Sequence, residues 1–229
     1  MLLKIAFFLA ASATLALGLK SDLEALLTLY NTVDTVIKSE HREAQIEIRA
    51  RSVPLNFYIN QVSGYVYGNL SQAAEPYWER IASFEEQAEI IDRNITKCLD
   101  EGHSQFYMLN GTIIRAPISQ LEACREDGTE IILASSSLSN SVISELLELE
   151  VEVRACSNNT CAQQLQVTLR EFYVRGLQTI ATAISNATDY VFEVLPQNLA
   201  VINIDRPTYT RLFNRILDQI KICIYGRTQ

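Results

Sequence analysis

Cys156-Ser157-Asn158-Asn159-Thr160-Cys161 is a short polar turn pinched between two cysteines, with apolar residues at helical spacing on both sides. Before it, Leu138, Val142, Leu146, Leu149 and Val153 advance in steps of three and four. After it, Leu165, Leu169, Phe172, Gly176, Ile180, Ala183, Ala187, Val191 and Val194 do the same. Such spacing lines up apolar side chains on one helix face, and that face has to be covered by another helix. Gly176 and the two alanines would let a neighbour come close. Two cysteines five apart on one continuous helix point about 140° away from each other and cannot bond. If Cys156 and Cys161 are paired, the chain must turn between them, as Ser-Asn-Asn-Thr favours, and the bridge staples the tip of a helical hairpin.

The rest of the chain carries further stripes. Ser21-Asp22-Leu23-Glu24 is a capping box, followed by Leu23, Leu26, Leu27, Tyr30, Val33 and Ile37 and, more weakly, Ala44 and Ile48. Lys38 to Arg51 is polar on most faces and reads as a solvated helix. From Pro54 to Gly68, with Phe57, Tyr58, Val62, Tyr65, Val66 and Tyr67, the pattern predicts a helix with Pro54 at its first position. Trp78, Ile81, Phe84, Ala88, Ile91, Ile95, Cys98 and Leu99 form the next stripe. Gly102 and Gly111 interrupt it, Pro117 ends it, and a short helix from Ile118 to Arg125 stops near Gly128. Pro196 closes the helix after the cysteine turn. Asp205-Arg206-Pro207 opens a last one, with Leu212, Phe213, Ile216, Ile220 and Cys223 on its inner face. The expected fold is all-α: an elongated bundle of long antiparallel amphipathic helices, disulfide-stapled, as a single domain over residues 19–229.

The compartment is read from the first residues. Lys4 precedes an apolar or small-residue run from Ile5 to Leu17, and Ala16-Leu17-Gly18 offers a cleavage site, so residues 1–18 read as a secretory signal peptide. No later window reads as a membrane span. In an oxidising compartment the five cysteines, Cys98, Cys124, Cys156, Cys161 and Cys223, are disulfide candidates. A Cys98–Cys223 pair would anchor the last helix; Cys124 competes for either partner, and five is odd. Glycosylation sequons stand at Asn69, Asn94, Asn110, Asn158 and Asn186, with three or more expected to be occupied.

The chain is poor in catalytic groups. A formal net charge of −8 argues against nucleic acid and anionic lipid as partners. Of the two histidines, His41 lies among charges. His103 follows Asp100, Glu101 and Gly102 at what reads as a solvated helix end. Glu145, Glu148, Glu150 and Glu152 spread round an exposed face without the Asp-rich loop and glycine turn of a calcium site. No phosphate-binding glycine loop, nucleophile elbow or His-Glu-x-x-His motif is present, so no metal, cofactor or catalytic residue is expected.

Cys98-Leu99-Asp100-Glu101, the Cys156/Cys161 pair, Ile184-Ser185-Asn186-Ala187-Thr188 and Cys223-Ile224-Tyr225-Gly226 give the chain a resemblance to the insect family named for the tsetse EP protein, over about residues 98–226. The resemblance implies a signal peptide, a helical domain and a secreted insect protein of gut, haemolymph, reproductive fluid or immunity, with no established enzymatic role. Three features depart from it. The family's cysteine near Phe172-Tyr173 is missing, Cys124 is extra, and the Glu-Pro repeat tail is absent. The family's disulfide connectivity therefore does not carry over.

The expected function is non-enzymatic binding at a surface, to an extracellular protein, a glycan or a microbial coat. The alternative is a carrier holding a small apolar ligand between helices, lined by Phe57, Tyr58, Tyr65, Trp78 and Phe84 with small residues at Gly176 and Ala183.

Overall fold

A computed structural model describes residues 21–226; the expected signal peptide lies outside the described residues. Helix takes up 92% of the described residues and there is no strand among them, as the stripes require. The elements are α1 (Asp22–Ala50), α2 (Ser52–Ile90), α3 (Thr96–Ala155), α4 (Asn159–Asp189), a π-helical turn (Tyr190–Val194), α5 (Leu195–Ala200) and α6 (Arg206–Tyr225). Two disulfides form, Cys98–Cys223 and Cys156–Cys161, and Cys124 is buried outside both.

The sequence reading places the breaks differently. α3 runs unbroken through Gly102, Gly111, Pro117 and Gly128, and Ile131-Ile132-Leu133, short enough for a strand, is helical. Its buried positions include 99, 102, 106, 117, 121, 124, 128, 132, 135, 139, 142, 146, 149 and 153. From 117 onward each step is three or four residues. The glycines at 102 and 128, Pro117 and two serines are thus seam residues rather than breakers. Helical glycine costs only about 1 kcal/mol against alanine, which packing along a seam offsets. The real break lies earlier. Asp92 takes φ +50°, the Asp92 amide donates to the Glu89 carbonyl (3.2 Å) and the Arg93 amide to the Ala88 carbonyl (3.0 Å). This pair of bonds closes a helix end around a left-handed residue, a place usually held by glycine but open to aspartate. Asn94 then accepts from the Thr96 amide at 3.0 Å and starts α3.

The starts at Ser21 and Asp205 follow the sequence closely. Ser21 accepts from the Glu24 amide at 3.3 Å, Asn158 from Cys161 at 2.9 Å and Asp205 from Thr208 at 3.1 Å, so α1, α4 and α6 start on side-chain caps. α2 begins at Ser52, ahead of Pro54, and continues past Gly64, Gly68 and Pro76. Pro196 opens α5 instead of closing α4. The wider π turn precedes a proline that has no N–H to give and whose ring crowds the carbonyl one turn back.

The chain divides into two compact units, 21–54 with Gly128–Glu193 and Leu55–Asp127 with 194–226. In the first, α1 packs on α4; Leu26, Val33, Ile37, Ala44 and Ile48 of α1 are all 1% exposed or less, and Leu146, Leu169 and Ala183 are equally covered. Each large aliphatic buried this way contributes about 1.5–3 kcal/mol. At Gly176, where closeness was expected, an added Cβ would lie 3.1 Å from Val142 Cγ1 and 3.2 Å from Ile37 Cδ1. A polar layer interrupts the apolar seam. His41 Nδ1 lies 2.9 Å from Ser139 Oγ, Gln45 Nε2 donates to the Ser136 carbonyl (3.0 Å), and Ser136 Oγ donates to Gln45 Oε1 (2.6 Å). The stretch that reads as a solvated helix is therefore docked along one side.

In the second unit the core joins Tyr77, Ile81, Phe84 and Ala88 of α2, Leu99 and Phe106 of α3, and Tyr209, Phe213, Ile220 and Ile224 of α6. At Gly102 α6 packs directly against the α3 backbone, since a Cβ there would meet Ile220 Cδ1 at 2.3 Å.

Candidate binding surface

Tyr77 and Phe106 stack face to face at 3.7 Å between ring centres, 4° from parallel, and both are fully buried. Phe213 and Tyr209 of α6 close the cluster from behind. Burial pushes the Tyr77 and Tyr209 phenols up to about 12, so both stay neutral hydrogen-bond donors. Tyr209 donates to Asn110 Oδ1 at 2.7 Å, and the Tyr77 hydroxyl lies 3.3 Å from His103 Nδ1.

This cluster carries a second, outer layer of rings. Trp78 sits 5.4 Å from Phe106, edge to face, 5.3 Å from His103 and 6.4 Å from Tyr107. Trp78 is 41% exposed and Tyr107 62% exposed, with Met108 more open still. The outer rings are thus held by a rigid aromatic base and present apolar faces to solvent. Large rings of this kind supply contact area at little conformational cost, and one end of each can stay wet. Farther along α2, Phe57, Tyr65 and Tyr67 are also exposed.

Several sequence expectations move at this surface. The sequence spacing puts Trp78 on a buried stripe; the seam is Ala74, Tyr77, Ile81, Phe84 and Ala88, and Trp78 lies one residue off it. The regular three-four spacing of that seam is in the sequence, but tryptophan's size draws the register to itself. Tyr107 and Met108 carried no sequence signal of their own; they join the patch because α3 continues past Gly102. His103 lies inside α3, not at a helix end. Among the described residues no three His, Cys, Asp or Glu side chains come together as metal ligands, and no helix is long and apolar enough to cross a membrane. Glu145 pairs with Arg175, and Glu150 with Arg154, which holds the Glu150 carboxyl below the usual range. Both pairs are solvent-facing and contribute little to stability.

No family model, curated protein or solved structure matches the chain.

The residues set apart for a carrier do not converge. Phe57 and Tyr65 are more than half exposed, Phe84 is packed in the second unit's core, and Gly176 and Ala183 are buried in the first unit. A cavity of about 360 Å³ lies beside the Cys98–Cys223 bridge, lined by Glu101, Gly102, Gln105, Ile216, Gln219 and Ile220. It falls at the small end of ligand-site volumes, and Glu101, Gln105 and Gln219 make part of its lining polar. The sequons are placed differently from one another. Asn94, Asn158 and Asn186 are exposed, Asn110 is half-buried, and Asn69 is buried.

Proposed function

We propose that the protein is a secreted, non-enzymatic helical glycoprotein that acts by binding an extracellular protein, glycan or microbial coat through an exposed aromatic face. The observation that carries this reading is the Trp78–His103–Tyr107 layer, solvent-facing and held on the buried Tyr77–Phe106 stack. Two disulfides support an oxidising compartment, and the resemblance to the tsetse EP family supports an insect extracellular fluid. Aromatic faces are what sugar rings and protein hot spots have in common as partners, so the surface accommodates either class.

Trp78 is the only tryptophan, which makes its fluorescence a direct report on the patch. Titration with soluble microbial glycans and extracellular proteins should shift Trp78 emission to the blue and protect it from acrylamide for the true partner. Tyr107→Ala should weaken that binding at least tenfold, with melting temperature nearly unchanged, because Tyr107 is largely exposed. Tyr77→Ala, in contrast, should cost about 3–5 kcal/mol of stability. Binding unaffected by Tyr107→Ala would remove the patch from the proposal. A lipid-like mass on protein purified from its own source, seen by native mass spectrometry, would favour the carrier instead.

A further inference from the structure

Asn69 opens the sequon Asn69-Leu70-Ser71, yet it is 6% exposed and both ends of its carboxamide are engaged. Its Nδ2 donates to Asn203 Oδ1 at 3.0 Å, and its Oδ1 accepts from Arg206 Nη2 at 3.1 Å. The orientation is fixed from outside. A guanidinium only donates, so the atom facing Arg206 must be the oxygen. Asn203 Oδ1 also accepts the Ile204 amide at 2.8 Å, so the atom that Asn69 turns toward it must be the donor nitrogen. Arg206 reaches Gln72 Oε1 as well, at 3.2 Å. These bonds tie the connector between α5 and α6 to one turn of α2 and seat Ile202 and Ile204, 4% and 6% exposed, against the second unit.

An N-linked sugar is attached at Nδ2. At Asn110 and Asn158 the hydrogen bonds from Tyr209 and Cys161 use Oδ1. At Asn69 the nitrogen itself faces Asn203, and a sugar there would lift the connector and uncover both isoleucines. We propose that Asn69 is not a glycan acceptor but the buried hub of a latch, and that sugar is carried at the exposed Asn94, Asn158 and Asn186. The sugars rest on the secretory reading; the latch does not.

The test expresses the full chain in a eukaryotic secretory host, once with its own first residues and once behind a foreign leader. Glycopeptide mass spectrometry of the folded, secreted fraction should find Asn94, Asn158 and Asn186 occupied and Asn69 bare. Ser71→Ala removes the sequon at an exposed residue without touching the latch. It should change neither glycan mass nor melting temperature, whereas Asn69→Ala should lower the melting temperature by several degrees. Sugar on Asn69, or loss of one glycan in Ser71→Ala, overturns the proposal. An unshifted Asn69→Ala overturns the latch even where no sequon is occupied. Secretion only behind the foreign leader counts against the secretory reading and leaves the sorting of sites standing.

Discussion

Two glycines with the same helical cost have opposite places in the structure. At Gly64 nothing lies within 4 Å of an added Cβ, while at Gly102 Ile220 Cδ1 and Cγ1 stand at 2.3 and 2.5 Å. Gly64→Ala should therefore stabilise by about 0.5–1 kcal/mol through propensity alone. Gly102→Ala gains the same propensity but overpacks, at a cost of about 1–3 kcal/mol, for a net loss near 1 kcal/mol. Chemical denaturation of the two variants checks the opposite signs, and Ile220→Val should recover part of the Gly102→Ala loss. His41 is the second residue whose environment the sequence hides. Burial against Ser139 pushes its imidazole below the ordinary 6.5, outweighing the opposing hydrogen bond. The unfolded chain then binds the proton more tightly than the folded one. Stability is thus full above about pH 6.5 and falls as the pH drops toward the lowered folded value. His41→Gln should flatten that stretch of the stability–pH curve; an unchanged slope would show that His41 does not drive it.

Among elements, the two disulfides divide their work by loop length. Cys98 and Cys223 are 125 residues apart in sequence, and in the chain-entropy view closing such a loop contributes about 5 kcal/mol. Cys156 and Cys161 are five apart, worth about 2 kcal/mol on the same scale, and Asn158 already caps the α4 terminus there. Cys98→Ser/Cys223→Ser should lower the melting temperature well beyond Cys156→Ser/Cys161→Ser, measured without reductant. Equal losses would mean that the short staple does more than fix a turn. The helix boundaries at this scale were only half legible. Caps at Ser21 and Asp205 are local, set by a side chain and an amide three residues on, so the sequence displays them; Asn158, legible as a turn residue and sequon, also proves to be a cap. The turn at Asp92 is equally local but uses aspartate where glycine is usual, and the glycines nearby misdirect the reading. Gly102, Pro117 and Gly128 read as stops by local propensity, which the packing along α3 overrides.

In the whole molecule, helical class follows from the sequence by itself, whereas the choice of Cys98–Cys223 and Cys156–Cys161 over pairings with Cys124 is made by the fold. Periodicity of three and four residues reports which face each helix must hide, a local property that survives without knowing its partner. Division into two units and the pairing of α1 with α4 depend on contacts between residues distant in sequence. The same holds for the candidate surface. That Trp78 faces outward follows from Tyr77 taking the inward place against Phe106, and the buried Asn69 is held by Asn203 and Arg206, more than 130 residues away in sequence. Sequence spacing says that a face is buried; only the tertiary structure decides which side chain wins the interior, because that choice is made by the shape of what packs against it.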